Sequence, residues 1–297
     1  MTIPADERGP AAILLNRGAA SAGSRRVRRA VELARRALNA DLHEANTRDP
    51  NELKRWMDER VEGYRTVVVA GGDGSLAVAY NLLAGRPEVA IGYIPGGFGN
   101  ATAHLLRLPR DPEHLAAVLV RGRPRAIDLV AADERLALFA GAGWDAVVAE
   151  RYAASGARRL PGWTAAIARS LPDLVRRRNV RVEADGALVH AGPIELVVIS
   201  VTPWYGRGLL VNPGARPDQG RLMLRVYPGP LPRFAVEAAR WMARRAPGVP
   251  GTEAAEIVVR AADDAPLIVQ ADGDVIGRRA EWRFGVRPAA VRLIGDW

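Results

Sequence analysis

Up to Arg125 the chain alternates short apolar runs with amphipathic stretches. Ala11–Leu15 is apolar throughout, and within Ser24–Asn39 the residues Val27, Ala30, Val31, Ala34 and Leu38 recur on one helical face, with arginines on the other. Asp49-Pro50-Asn51-Glu52 reads as an N-cap, a proline at the first helical position and a capping-box acid. The helix it opens is expected to bury Leu53, Trp56, Met57 and Val61 and to stop at Gly63. Thr66–Ala70 is β-branched and apolar on both faces, as a buried parallel strand should be, and Val89–Ile94 is a second such strand. Asp111-Pro112 opens one more short helix. Strands and helices joined by short connections predict an α/β layer fold.

Beyond Arg125 the pattern changes. Short strands are predicted at Arg125–Val130, Leu136–Ala140, Val180–Ala184, Ile194–Val201, Arg221–Tyr227, Glu256–Arg260, Leu267–Ala271 and Trp282–Val286. Val180/Val182 and Trp282/Phe284/Val286 alternate as half-exposed strands do, and Asp185-Gly186 suits a hairpin turn. Trp163–Arg178 and Phe234–Arg245 interrupt as amphipathic helices. The change in pattern puts a domain boundary near Arg123-Pro124, giving an α/β domain (1–124) and a mainly antiparallel β domain (125–297).

Composition narrows the classes. The chain has 297 residues, 48% hydrophobic and 25% charged, enough for two domains and too apolar for wholesale disorder. Lys+Arg number 42 against 33 Asp+Glu, and Lys54 is the only lysine. Arginine forks match phosphates and anionic surfaces, so the excess is compatible with nucleotides, phospholipid membranes or nucleic acid, or is compositional bias. The absence of cysteine excludes disulfides, thiolate metal sites and a cysteine nucleophile. His43, His104, His114 and His190 form no ligand-spaced cluster, which argues against a zinc enzyme. No apolar run reaches the ~18–20 residues of a membrane span. The start, MTIPADERGP, lacks the apolar stretch of a signal peptide, so a soluble intracellular protein is expected.

Two glycine loops carry the candidate chemistry. Gly71-Gly72-Asp73-Gly74-Ser75 follows a buried strand and precedes the helical run Leu76–Leu83, where free backbone N–H groups and a helix N-terminus can hold phosphate. A plain strand-to-helix turn with Asp73 or Ser75 as N-cap fits the same residues, and GxxxxGK[ST] is missing. Pro95-Gly96-Gly97-Phe98-Gly99-Asn100 repeats the arrangement before Ala101–Leu106. Two such units can set both loops, with Asn16 after the first strand, at one edge of a parallel sheet, where ligands of such sheets bind.

GGDGS, PGGFGN and the late Asp272-Gly273-Asp274 resemble the lipid kinases of the diacylglycerol kinase catalytic-domain superfamily, which includes sphingosine kinases, with NAD kinases as distant relatives. Asn16, Thr47, Gly71–Ser75, Pro95–Asn100, Gly141–Ala146 and Asp272–Asp274 match the family's motifs in order and spacing. The resemblance implies a three-layer α/β nucleotide-binding domain and a C-terminal β-sandwich-like domain, the last strand returning to the first domain. It implies ATP and Mg2+, and an ATP-dependent kinase acting on a hydroxyl of diacylglycerol or a related lipid. The lipid would be met at a membrane surface, from the cytoplasm at the inner membrane face. A homodimer is compatible with this; a nucleic-acid partner is not expected. Asn16, Thr47, Gly71, Gly72, Asp73, Gly74, Ser75, Phe98, Asn100 and Asp272 would line the nucleotide. Asp274 would be the proton acceptor, with Asp73 the second catalytic candidate.

The chain departs from the family pattern at several points. Phe98 replaces a threonine, removing a hydroxyl whose charge-assisted bond to phosphate is worth roughly 1.5–3 kcal/mol. Ala101 stands where diacylglycerol kinases often carry Asp, and GNATA is closer to the GNALA of sphingosine kinases. Asp274 is one methylene shorter than the family's Glu. Asp218 and Gln219 are the metal candidates, Gln219 standing in the place of a metal-ligand Asp. A sphingoid-base kinase and a catalytically degenerate nucleotide- or lipid-binding protein are therefore the alternatives. Trp163, Ile167, Leu171, Leu174 and Val175, followed by Arg176-Arg177-Arg178, would form either a membrane-contacting stripe or a helix face packed on the sheet.

Overall fold

A computed structural model describes residues 9–97, 99–155, 159–175, 178–206, 208–229, 231–263 and 266–297. The chain forms two compact units, one comprising the residues up to Ile127 together with Ala289–Trp297, the other Asp128–Pro288.

The first unit holds β1 (Ala11–Asn16), α1 (Arg25–Leu38), β2 (Asp41–Ala45), α2 (Pro50–Asp58), β3 (Thr66–Gly71), α3 (Asp73–Leu83), β4 (Ala90–Pro95), α4 (Ala101–Leu105) and α5 (Pro112–Arg121). The strands are parallel in the order β2-β1-β3-β4. Arg292 and Leu293, near the chain's end, pair parallel to Ala90 and Ile91 beside β4. β1, β3 and β4 are buried along their whole length, which is why they read as unbroken apolar runs. Ile13, Leu15, Val68, Ala70 and Ile94 on one face pack against Val27, Ala30, Val31 and Ala34 of α1 and Leu115 and Leu119 of α5. α2 packs on α3.

Local signals set most helix ends. Ser24 caps α1 through Val27 N–H at 3.3 Å, and Asn39, in the left-handed region, closes it. Asp49 and Asp111 cap α2 and α5, each with proline at the start. α2 stops at Asp58, short of Gly63, and leaves Trp56 half-buried under the Arg60 guanidinium. Glu52 does not close a capping box: it accepts the Thr47 hydroxyl, while Thr47 Oγ1 takes the Asp49 N–H at 3.2 Å. β2 has no strand signal in the sequence, because DLHEA is half-exposed and carries no apolar run.

From Arg123 onward come β5 (Arg123–Ala132), β6 (Arg135–Ala137), β7 (Phe139–Gly143), α6 (Trp144–Ala154), α7 (Arg159–Ser170), β8 (Arg178–Ala184), β9 (Ala187–Ile194) and β10 (Leu196–Ser200). They are followed by β11 (Trp204–Tyr205), β12 (Leu209–Leu210), β13 (Leu222–Tyr227), α8 (Leu231–Met242), β14 (Thr252–Ala254), β15 (Glu256–Ala261), β16 (Leu267–Ala271), β17 (Asp274–Arg279) and β18 (Glu281–Gly295). In the second unit β9, β8, β15 and the first half of β18 pair antiparallel. A six-stranded sheet runs β14-β13-β10-β7-β16-β17. Trp282 of β18 donates its indole N–H to Leu267 O of β16 at 3.0 Å, linking the two sheets. Asp185 and Gly186, both at positive φ, make the predicted hairpin turn.

The predicted helix Trp163–Arg178 is corrected. α7 ends at Ser170, Leu171–Val175 forms a 3-10 turn, and Arg178 already belongs to β8. Pro172 accounts for the break, since it supplies no N–H to continue the ladder. The stripe is split: Leu174 is buried in the core, Leu171 is exposed and Trp163 packs edge-on against Tyr152. Arg176 and Arg177 lie outside the described residues. Among the described residues no helix is long and apolar enough to cross a membrane.

Candidate active site

Parallel pairing of Asn16 with Ala45, Leu15 with Ala70 and Gly71 with Pro95 aligns the carboxyl ends of β1 to β4. The loops leaving these ends therefore share one sheet edge. Asn16 is buried and engaged through both amide atoms: its Oδ1 accepts the N–H of Gly18 (3.0 Å) and of Thr47 (3.3 Å), and its Nδ2 donates to Ser75 Oγ (3.1 Å). One side chain thus ties together the ends of β1, β2 and β3. Gly18, not singled out from the sequence, lies so close to Thr47 O that an added Cβ would sit 2.2 Å from it.

The two glycine loops touch. Gly96 N–H donates to Gly71 O at 2.7 Å, and a Cβ on Gly97 would meet Gly72 Cα at 2.7 Å. Gly72 is the N-cap of α3, so neither Asp73 nor Ser75 is, and no side chain caps that helix. Asp73 instead crosses to the second loop, where its carboxylate accepts the N–H of Ala101 (3.1 Å) and Thr102 (3.5 Å) at the start of α4. Burial raises the Asp73 pKa, and those N–H donors oppose the rise. Asn100, in the left-handed region, folds back on Gly97 through both amide atoms. Tyr93, fully buried in β4, points its hydroxyl at Asn100 Oδ1 (3.1 Å) and Asp73 Oδ1 (3.5 Å). The sequence signal for Tyr93 was one hydroxyl in an otherwise apolar strand. Gly74 is exposed with open space around it, and Phe98 lies outside the described residues.

In the second unit Asp272 and Gly273 turn the chain from β16 into β17, both at positive φ. The Asp272 carboxylate accepts the N–H of Leu138 and Phe139, which makes it an anchor of β7. Asp274 is the outward group of the turn, with 54% of its side chain exposed and Arg135 Nη2 at 3.3 Å. Desolvation by its neighbours raises its pKa, against the pull of Arg135. Behind the turn lies a network that the sequence motif only hinted at. Gln270 Oε1 accepts Gly273 N–H (2.7 Å), while Gln270 Nε2 donates to Asp145 Oδ2 (2.9 Å), which also accepts the Tyr205 hydroxyl. Burial pushes the Asp145 carboxyl up to about 6. Gly141 makes the room, since a Cβ there would lie 2.0 Å from Asp145 Oδ2.

Asp218 and Gln219 are exposed on a loop held by buried Asp128, whose Oδ2 accepts Gly220 N–H at 2.6 Å. Asp218 brings one carboxylate and Gln219 one neutral amide oxygen, one charged oxygen ligand fewer than a pair of Asp residues would offer a magnesium ion. Among the described residues no group of three or more His, Asp or Glu is placed to hold a metal.

Residues 10–132 match the diacylglycerol kinase catalytic domain, and residues 139–295 match the YegS C-terminal NAD kinase beta sandwich-like domain. The chain belongs to the family of diacylglycerol kinase-like lipid kinases that these two domains define. It is 26% identical over 279 residues to the "Probable lipid kinase YegS-like" of Stenotrophomonas maltophilia (strain K279a), covering 87% of this chain and 88% of that one. A "Diacylglycerol kinase" of Mycobacterium tuberculosis (strain CDC 1551 / Oshkosh) is 31% identical over 170 residues, 54% of each chain. The fold is similar to the crystal structure of a diacylglycerol kinase from Bacillus anthracis str. Sterne, with a TM-score of 0.74, 18% identity and 97% of each chain covered.

Proposed function

We propose that the protein is an ATP-dependent lipid kinase that phosphorylates a hydroxyl of diacylglycerol or a related membrane lipid. The observation that carries this reading is the closure of Asn16, Thr47, Ser75 and both glycine loops into one network at the carboxyl ends of four adjacent parallel strands. Open α/β sheets hold ligands at this edge. The start of α3, without a side-chain cap, offers its first N–H groups to phosphate, and Gly74 leaves the approach open. In this reading Asn16, Asp73 and Asn100 shape the loops, and their side chains serve the protein's own backbone first.

Asp274 is the proposed proton acceptor. It takes the proton of the lipid hydroxyl as the oxygen bonds to the γ-phosphorus and the bond to the bridging oxygen of ADP breaks. Its exposure leaves it open to a substrate, and its raised pKa makes it a stronger base than an ordinary Asp. Asp272 serves by fixing the turn. Magnesium would enter bound to ATP and neutralise charge on the phosphates.

The test is transfer of labelled phosphate from ATP to a panel of diacylglycerol, monoacylglycerol, phosphatidylglycerol and sphingosine in mixed micelles, with NAD as soluble acceptor. Labelled lipid product is expected. ATP binding with no transfer to any acceptor would leave a nucleotide-binding protein, and transfer to NAD alone would move the chain to the other kinase class.

A further inference from the structure

α8 buries one face and leaves the other apolar and basic. Inward, Phe234 and Trp241 pack with Tyr227 at ring separations of 4.9–6.4 Å. The helix's one acid, Glu237, also points inward: it is 5% exposed and accepts Gly248 N–H at 2.8 Å. Outward, Val236 is 55% and Met242 70% exposed, with Ala235, Ala239 and Ala243 exposed beside them. Arg233 and Arg240 on the helix, and Arg244 and Arg245 just after its end, are exposed as well. None of the four is ion-paired among the described residues. On the other arginine-rich helix, α1, Glu32 pairs with Arg35 and Arg36 and Glu113 with Arg29, while Arg25, Arg26 and Arg28 carry no ion pair among the described residues. A face of exposed apolar groups accompanied by exposed cations, its acid turned inward, has the charge and shape of an interfacial helix.

We propose that the outward face of α8 docks on an anionic phospholipid surface, Val236 and Met242 entering the headgroup boundary while the arginines meet lipid phosphates. The choice of a membrane as partner rests on the lipid-kinase reading, which it deepens by naming the surface that meets the bilayer. Two of the arginines also serve the protein: Arg240 bonds Ala246 O, and Arg244 lies over Trp204. Arg233 and Arg245 have no such second role among the described residues and are the ones to change.

The experiment is co-sedimentation of the full chain with phosphatidylcholine–phosphatidylglycerol vesicles and with pure phosphatidylcholine vesicles. Wild type should bind the anionic vesicles preferentially and release with salt. Arg233→Gln/Arg245→Gln should weaken partitioning ~25-fold, about fivefold per arginine. Met242→Glu should weaken it with every arginine in place. All variants must match wild type in melting temperature. Phosphorylation of a monomeric short-chain diacylglycerol, run alongside, should be unchanged in them because it needs no surface. Vesicle binding that ignores both substitutions overturns the proposal and leaves the kinase reading standing. Patch-dependent binding without transfer to any lipid keeps the surface and removes the kinase. A concentration-dependent dimer that Met242→Glu dissolves, with no vesicle binding, overturns it in favour of a second copy on this face.

Discussion

The carboxylate of Asp73, at the start of α3, accepts the backbone N–H of Ala101 at the start of α4, 3.1 Å away and 28 positions along the chain. The acid of the first glycine loop is the cap of the helix behind the second. This answers why an Asp can sit in a loop proposed to hold phosphate: its charge is turned toward N–H donors. Side-chain caps are worth about 0.5–2 kcal/mol. Asp73→Ala should therefore lower the melting temperature by several degrees and weaken ATP binding as the second loop loosens. Asp73→Asn keeps one acceptor and should lose less of both. Thermal melts and ATP titrations of the two variants check this, and wild-type ATP affinity in folded Asp73→Ala would detach the loops from the nucleotide.

Two glycines of these loops should respond in opposite ways. At Gly97 a Cβ meets the Gly72 backbone at 2.7 Å, and backbone cannot swing aside, so Gly97→Ala should unfold or displace the loop pair. At Gly74 nothing lies within 4 Å. Gly74→Ala should be neutral or stabilising by up to about 1 kcal/mol, as for Gly→Ala inside a helix. Any loss of ATP affinity in Gly74→Ala, measured by calorimetry, then reports a ligand against the loop and not a damaged fold.

Much of this arrangement is legible in the sequence because it rests on local chemistry. Thr66–Ala70 and Ala11–Leu15 are buried on both faces and read as strands without any partner in view. Ser24, Asp49 and Asp111 mark their helices by capping alone. What stayed hidden depends on pairing across the chain. β2 and β9 are edge strands with exposed residues, and their ladders come from neighbours distant in sequence or across a turn. The site shows the same division. Asn16, Gly71–Ser75 and Asn100 stand out as motif residues, but that Asn16 reaches Ser75, or that Tyr93 reaches Asp73, follows only from strand register. Trp163–Arg178 reads as one helix because its apolar spacing continues through Pro172, where the backbone is no longer α-helical.

Asp274 and Arg135 give a test of the proposed base. Asp274→Asn removes the proton-accepting charge from an exposed side chain whose ion pair at the surface is worth at most about 1 kcal/mol. Turnover should fall ~10²–10⁴-fold with the KM for ATP little changed and the fold intact. Arg135 lowers the Asp274 pKa, so Arg135→Ala should raise it. The base works ionised, and the acid limb of kcat/KM against pH should move to higher pH in Arg135→Ala. Full activity in folded Asp274→Asn would remove Asp274 from the chemistry. Asp274→Glu should retain or raise activity if the turn accommodates the longer side chain, and lower it if the backbone is fitted to Asp.

Asp145 should leave a signature in stability against pH. Its pKa in the fold is about 6, pushed up by burial, against 3.8 for a free Asp. A raised folded pKa favours the protonated form in the native state, so this contribution is complete below about pH 3.8 and is lost as pH rises through 6. The difference in pKa corresponds to about 3 kcal/mol. Asp185 and Glu281, whose pKa values are lowered by hydrogen bonds and arginines, act in the opposite direction below about pH 5 and blur the wild-type curve. The difference between wild type and Asp145→Asn isolates the effect. The amide oxygen can still accept the Tyr205 hydroxyl and Gln270 Nε2, but carries no charge to desolvate. Asp145→Asn should thus gain stability relative to wild type between pH 4 and 7.5, by up to those few kcal/mol, in denaturant melts. A constant offset across that range would mean that Asp145 is ionised throughout and that Tyr205 and Gln270 fully repay its burial.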